Sequence, residues 1–303
     1  MEPTASAPIA VQTVRLQTIA IVGLVRNGAG KIIQDVLRMQ LAVRSFATVH
    51  WLLIESDSSD DSLIELEKLS NRIDNFRFLA LGSLRDRFPL RTDRISFCRN
   101  VYLEELRSNS VYKQVAFIIV SDFDGINTLI SEKAILSCWK NSDWSVCTAN
   151  QAGPYYDILA LRHPVWCASD CVESYQFLIM YGVRPERALQ AAIHSRMITI
   201  PSDSPWIEVD SSFGGVAVYR REEFLHGEYR GLSSDGREVC EHVHFHGKIK
   251  AQGGRIFINP ALINAGYTEH TLPLRFSQKI GRVVKNVFKP IYKGIFGRQG
   301  LAR

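Results

Sequence analysis

The first 130 residues alternate short apolar runs with amphipathic segments. Residues 18–25 (TIAIVGLV) are typical of a buried strand, and residues 31–46 place apolar side chains at three- and four-residue steps, as a helix does. A second strand over 49–54 and a helix from about Asp61 repeat this order. The alternation predicts an α/β fold with a mostly parallel central sheet and helices on both of its faces.

The same pattern continues along the chain. Strands are predicted in FRFLAL (76–81) and QVAFIIV (114–120), with a helix in ISFCRNVYLEELRS (95–108) between them. Further on, a short helix over about 243–251, a Gly-Gly turn and a strand over 255–258 are expected. The predicted organisation is a flexible arm (1–17), one body (18–271, with a first half 18–130 and a second half 131–271) and a tail (272–303).

Charge is unevenly distributed between body and tail. The chain of 303 residues has a formal net charge of +5, while its last 32 residues contain eight Lys or Arg and no acid. The rest therefore sums to 5 − 8 = −3, and no nucleic-acid partner is expected from the overall basic character. The N-terminus lacks the features of a secretory signal, so we expect a cytoplasmic protein. The six cysteines include no CxxC pair and are expected to be reduced and mostly buried.

The segment FIIVSDFDG (117–125) ends an apolar strand in two aspartates that flank a phenylalanine. Two carboxylates one residue apart can bind a hard cation such as Mg²⁺ or Mn²⁺. Alternatively, such residues close a strand with an Asx turn, in which the side chain bonds its own backbone. Ligands of open α/β sheets bind beyond the carboxyl ends of the strands, so the position of these aspartates suits a cation site. It suits an Asx turn equally, and both interpretations stay open at this point.

The order of these motifs resembles the nucleotide-sugar half of GT-A-fold glycosyltransferases. A strand ending in ESDSSDDS (55–62), the helix with SFCRN (96–100) and the strand ending in SDFDG (121–125) follow the order of that family's motifs. The later segment CEHVHFHGKIKAQGGRIFINP (240–260) is similar to the family's acceptor-side motif. Family members usually carry Glu-Asp where this chain has Glu241-His242. GPYYDILALRHPVWC (153–167) resembles a segment of capsule-type mannosyltransferases, which implies mannose as one candidate sugar.

The resemblance implies an enzyme that uses a nucleotide-diphosphate sugar and a divalent cation. The implied cation, Mn²⁺ or Mg²⁺, would be held by Asp122, Asp124 and His270. Contacts to the nucleotide-sugar donor are implied for Arg26, Glu55, Asp57, Arg99 and Asp122. The implied catalytic base is Glu241, with His242 and Asp157 as further candidates.

Several of these residues have plainer readings. Arg99 and Arg94 on an amphipathic helix are equally surface residues, and an aspartate placed as Asp157 is, before an apolar helix, more often the cap of that helix. A loop histidine at position 270 is equally exposed and without a ligand. His242, His244 and His246 would share one face of a strand as a metal site, whereas on the helix that we favour at most His242 and His246 do.

The tail repeats apolar residues at three- and four-residue steps over 276–296, with lysines and arginines between them. Such a basic amphipathic segment is typical of a helix at a membrane surface, although a helix packed on the body or a second subunit fits too. The sequence therefore predicts a glycosyltransferase on the inner face of a membrane, specifically a hexosyltransferase, with a mannosyltransferase as one candidate. Its acceptor would be a cell-envelope polysaccharide, a lipopolysaccharide or a lipid-linked glycan. The alternatives are a sugar-nucleotide nucleotidyltransferase and a non-catalytic membrane-associated scaffold with this fold.

Overall fold

The computed structural model of the chain describes residues 14–271. The predicted tail (272–303) and most of the predicted arm (1–17) lie outside the described residues. Within them, eight strands form one sheet in the order β3-β2-β1-β4-β7-β5-β8-β6. The strands are β1 (Thr18–Val25), β2 (Thr48–Glu55), β3 (Phe76–Ala80), β4 (Val115–Ser121), β5 (Val146–Gln151), β6 (Ile207–Val209), β7 (Val216–Arg220) and β8 (Ile256–Ala265).

The predicted α/β class and mostly parallel sheet are confirmed. β1 pairs in parallel with β2 and β4, β2 with β3, and β5 with β8. The antiparallel pairs all involve β6 or β7, which join the second half of the chain to the same sheet. β7 lies between β4 and β5, so residues from both halves of the chain meet at the end of β4.

Helices cover both faces of the sheet because the strand side chains alternate between two apolar cores. Ile19 and Ile21 face the core of α1, α2 and α4, whereas Ala20 and Val22 face the core of α3, α7 and α8. The helices are α1 (Ile32–Ala42), α2 (Ser62–Ser70), α3 (Arg91–Ser108), α4 (Glu132–Leu136), α5 (Cys171–Met180), α6 (Pro185–Ala192), α7 (Arg221–Leu225) and α8 (Glu241–Ala251).

Two boundaries in the second half differ from those predicted. Helix α8 begins at Glu241 rather than Val243, so all three histidines of the HVHFH run lie on a helix. Strand β8 continues past Pro260 to Ala265 instead of ending at Ile258. All six cysteines are free thiols, and every one except Cys240 is buried, as expected. Among residues 14–271, no helix has both the length and the apolar character needed to cross a bilayer.

Candidate active site

The Asp122-Phe123-Asp124 segment leaves the carboxyl end of β4 with its phenylalanine turned inward. Phe123 is buried and lies 6.5 Å from Trp51, measured between ring centroids. Asp124 is exposed, and 34% of the Asp122 side chain is open to solvent. The buried aromatic ring therefore fixes the segment while the two carboxylates point to the edge where ligands of such sheets bind.

Gly23 in β1 makes this conformation possible. A Cβ atom at Gly23 would lie 2.4 Å from the Ser121 carbonyl oxygen and 2.6 Å from the Phe123 ring. We expect Gly23→Ala to lower the free energy of unfolding by about 1–3 kcal/mol through this overpacking. In contrast, Gly247→Ala in α8, where a Cβ meets open space, is expected to raise it by up to about 1 kcal/mol. Urea unfolding of both variants checks the prediction, and equal effects would contradict it.

Asp124 makes the Asx turn that was one of its two predicted roles. Its Oδ1 accepts a hydrogen bond from the Ile126 amide at 3.2 Å. Lys31 donates to the Asp124 carbonyl oxygen at 2.9 Å, and the Gly125 amide donates to Asp35 at 2.7 Å. These contacts hold the turn from the α1 side. They leave the second Asp124 oxygen, Oδ2, for a ligand, so the turn and a cation site are compatible.

A Gly-Gly turn before β7 brings Asp157 to Asp122. The Asp122 amide donates to the Gly215 carbonyl oxygen at 2.9 Å, and the Gly214 amide donates to Asp157 Oδ2 at 2.9 Å. Both glycines have positive φ, where other residues are strained. Asp157 Oδ1 also accepts from the Ala160 amide at 3.3 Å, which closes a turn and not the helix predicted there.

A buried amide network underlies this turn. Asn264 donates to Asn127 at 2.6 Å and to the Gly214 carbonyl oxygen at 2.7 Å, and it accepts from Gln151 at 3.1 Å. Asn127 in turn donates to the Asp122 carbonyl oxygen at 2.7 Å. The backbone of Asp122 is thus anchored to β5 and β8. Nothing in the sequence singles out these amides, because Asn264 lies more than a hundred residues from both Asn127 and Gln151.

Arg99 of α3 is buried at the centre of the site, so the reading of it as a surface residue is wrong. Its Nε donates to Glu241 Oε1 at 2.9 Å, and its Nη2 lies 3.7 Å from Asp122 Oδ1. Its Nη1 donates to the Tyr102 hydroxyl at 3.1 Å. Arg99 therefore bridges the predicted base to the predicted donor side, with Phe213 and Tyr229 below its guanidinium.

Four carboxylates lie close enough to influence one another, namely Asp122, Asp124, Asp157 and Glu241; we call them the carboxylate cluster. Desolvation raises the pKa of Asp122, the charge of Asp124 raises it further, and Arg99 only partly opposes the rise. Burial likewise raises the pKa of Asp157, with a smaller contribution from Glu241. Part of the rise at Asp122 comes from repulsion between the carboxylates, which an added cation would relieve.

The three histidines of α8 do not form a metal site. His246 is buried between the Ser211 and Tyr219 hydroxyls, with nitrogen–oxygen distances of 3.0 Å to each. His244 faces Glu228 at 3.8 Å. His242 is stacked on Phe213, with ring centroids 4.0 Å apart, and neither of its ring nitrogens has a hydrogen-bond partner among the described residues. Burial holds the pKa of His242 well below its usual range, so it is neutral.

His246 gives the fold a pH dependence. Burial lowers its pKa from 6.5 to about 3, so the unfolded chain binds a proton in this interval that the folded chain does not. As the pH falls from about 6.5 towards 3, protonation of the unfolded chain lowers the free energy of unfolding by up to about 1.4 kcal/mol per pH unit. Above about pH 6.5 this loss is absent. We expect His246→Gln to reduce this slope and His226→Gln, an exposed histidine, to leave it unchanged. Urea unfolding between about pH 4 and pH 8 measures both slopes.

His270 lies at the rim of the carboxylate cluster. Its ring is stacked on Tyr156 with centroids 5.3 Å apart. Burial first, and then the charges of Asp157, Asp122 and Asp124, raise the pKa of the Tyr156 hydroxyl, which places this tyrosine between His270 and the aspartates. Within residues 14–271, no three His, Cys, Asp or Glu side chains are grouped closely enough to hold a metal. Asp122, Asp124 and His270 are therefore not assembled as one ligand set, and their roles stay a prediction.

The two predicted nucleotide contacts after β2 bind other residues of this chain. Asp57 Oδ1 accepts from the Leu84 and Arg85 amides at 3.0 and 3.2 Å, and its Oδ2 lies 3.4 Å from Arg94. Glu55 is buried and accepts from the Ser58 amide at 3.0 Å. Arg26, in contrast, is exposed at the end of β1. Arg94 is buried, so its reading as a surface residue is wrong, too.

The loop between β1 and α1 has its backbone amides occupied. The amides of residues 27 to 30 donate in turn to Ser58, Ser62, Asp60 and Glu65, at 2.8–3.1 Å. Two of these four acceptors are carboxylates. The loop is therefore closed by the acidic stretch after β2 and does not offer free amides to a phosphate group.

No protein-family model matches the chain, and no curated protein matches it by sequence. Solved structures are similar at low identity. They include the mannosyltransferase PcManGT from Pyrobaculum calidifontis in complex with GDP-Man and Mn²⁺ (10% identity, TM-score 0.46, 82% of this chain and 56% of that one). They also include S. aureus TarS (12%, 0.45, 84% and 62%) and glucosyl-3-phosphoglycerate synthase from Mycobacterium tuberculosis with Mn²⁺, UDP and phosphoglyceric acid (10%, 0.41, 84% and 71%).

The chain thus spans less than two thirds of the length of the first two proteins. All three structures match with TM-scores below 0.5. At such scores they bear on neither activity nor substrate, which depend on the residues of the site itself.

Proposed function

We propose that the chain is a metal-dependent glycosyltransferase that moves a sugar from a nucleotide-diphosphate sugar to a glycan acceptor. The observation that carries the proposal is the pair of outward carboxylates, Asp122 and Asp124, at the carboxyl end of the central strand β4. Asp157 and the Arg99–Glu241 ion pair adjoin them from the second half of the sheet and from α3. Both halves of the chain therefore contribute to the edge at which ligands of open α/β sheets bind.

A divalent cation fits the chemistry of the site. Carboxylate oxygens are the ligands that Mg²⁺ and Mn²⁺ prefer, and a cation would relieve the repulsion by Asp124 that contributes to the raised pKa of Asp122. Asp122 and Asp124 would hold the cation, with His270 as the third predicted ligand. When bound, the cation supplies charge that stabilises the diphosphate leaving group.

Asp157 is the carboxylate that the geometry favours as catalytic base. Burial raises its pKa, which makes it more basic than an ordinary carboxylate, and its two hydrogen bonds to the Gly214 and Ala160 amides fix its orientation. Glu241 is bonded to Arg99 and almost fully buried, so it acts better as a positioning residue for Arg99. His242 lacks a carboxylate's charge and lies against Phe213.

The nucleotidyltransferase alternative fits the site less well. An enzyme of that class needs a loop after its first strand that binds the triphosphate through amides and cations. Here the amides of residues 27–30 are occupied by Ser58, Ser62, Asp60 and Glu65. A phosphate at this loop would have to displace two carboxylates.

The acceptor and location belong to the same proposal. We propose a cell-envelope or lipid-linked glycan as acceptor and a hexose, with mannose as one candidate, as the transferred sugar. The basic amphipathic pattern over 276–296 would then hold the enzyme on the inner face of a membrane, close to such an acceptor.

A thermal-shift panel of UDP- and GDP-sugars, with and without Mn²⁺, tests the function. We expect one nucleotide to raise the melting temperature, and only when Mn²⁺ is present. The same pair should then support slow release of the free sugar without acceptor. A non-catalytic scaffold predicts no shift with any nucleotide sugar, and that result would contradict the proposal.

A further inference from the structure

The end of α5 presents an unusual group of exposed apolar side chains. Phe177 is 57% exposed, Ile179 37%, Met180 72% and Tyr181 70%. We call these four residues the α5 patch. A short helix on a protein surface normally turns its apolar residues to the core, and contiguous exposed apolar patches commonly mark contact sites.

Two side chains of the α5 patch contact each other, and two cations follow the patch in the sequence. The Phe177 and Tyr181 rings contact each other, with centroids 4.7 Å apart. After the turn at Gly182, the exposed Arg184 and Arg187 follow at the start of α6, with one acid between them. Aromatic and aliphatic side chains next to arginines are typical of surfaces that lie at the interface of an anionic bilayer.

A second copy of the chain is a poor occupant of this surface. Four side chains supply only a few hundred Å², whereas a specific dimer buries about 800 Å² on each partner. The predicted tail is a poor occupant as well, because its eight cations and absence of acids give it the same sign of charge as Arg184 and Arg187. Like charges favour a common anionic partner over contact with each other.

We infer that the α5 patch, with Arg184 and Arg187, is a membrane-contact surface of the folded body that inserts into the headgroup region of an anionic bilayer. This contact is separate from the tail and does not depend on sugar transfer. It holds the body, and not only the end of the chain, at the lipid surface.

Flotation of the full-length protein with phosphatidylcholine vesicles, with or without phosphatidylglycerol, tests the inference. We expect the Phe177→Asp/Met180→Asp variant to lose at least about tenfold in partitioning to the anionic vesicles. The matched control is Leu41→Asp on α1, an apolar residue that is 64% exposed far along the chain from the patch. It should bind as the unchanged protein does. Equal binding by the patch variant and the control would overturn the inference.

A second measurement reads the patch itself, whatever the tail contributes. Tryptophan introduced as Tyr181→Trp should be quenched by brominated lipid in anionic vesicles, and Leu41→Trp should not. Quenching of neither would overturn the inference. A concentration-dependent dimer in sedimentation velocity that the patch variant abolishes would replace the membrane by a second copy. Unchanged release of sugar from the donor in both variants separates this test from that of the proposed function.

Discussion

Asp124→Asn is expected to lower sugar transfer and metal-dependent donor hydrolysis by at least about a hundredfold. The substituted side chain keeps an oxygen that can accept from the Ile126 amide, so the Asx turn is retained. It loses the charge that binds a cation. The variant therefore separates the two roles of Asp124, because only the cation role fails when the charge is removed.

The control for Asp124→Asn is the same aspartate-to-asparagine substitution at a position outside the site. Asp86→Asn changes an exposed aspartate between β3 and α3 and should leave turnover unchanged. Urea unfolding should show both variants to be folded. If Asp124→Asn and Asp122→Asn each turn over at the rate of the unchanged protein, the carboxylates at the end of β4 do not bind the catalytic cation.

Arg99→Met is expected to lower the free energy of unfolding by about 3–5 kcal/mol. The change leaves Glu241 buried without its cation and removes the positive charge nearest to Asp122. An uncompensated buried carboxylate is costly because the surrounding protein cannot replace water around it. Urea unfolding at neutral pH measures the loss.

Two further variants show whether the ion pair causes this loss. Arg91→Met, on an exposed position of the same helix, should change stability by no more than about 0.5 kcal/mol. Adding Glu241→Met to Arg99→Met should restore part of the lost stability, because the orphaned carboxylate is then gone. A double variant that is as unstable as the sum of both single changes would show that the two residues are not coupled.

The regular elements could be predicted because their signal is local. β1 has the predicted bounds, and the helices of the first half differ by a few residues, since apolar spacing alone distinguishes the two periods. The position of Asp122 and Asp124 also follows from local pattern, as both come directly after an apolar strand. The residues that face them could not be predicted in this way. Asp157 follows β5 and Glu241 begins α8, and both reach this edge of the sheet only because strands from distant parts of the chain pair with each other.

The binding partner of each polar side chain could not be predicted from local pattern. Glu55 and Asp57 after β2 are the predicted nucleotide contacts, yet Glu55 accepts from the Ser58 amide and Asp57 from the Leu84 and Arg85 amides. Tertiary contacts decide which side-chain oxygens accept hydrogen bonds from backbone amides, and the spacing of residues in the sequence does not show these contacts. For the same reason, a surface reading of Arg99 was as plausible from the helix pattern as the buried one.

The binding of Mn²⁺ itself tests the central claim most directly. Titration of the metal-free protein followed by the electron paramagnetic resonance signal of free Mn²⁺ should show uptake of about one ion, strengthened by UDP or GDP. Asp122→Asn/Asp124→Asn should remove this uptake, while Asp86→Asn should retain it. Equal uptake of Mn²⁺ by the double variant and the unchanged protein, with the nucleotide present, would contradict the assignment of the site.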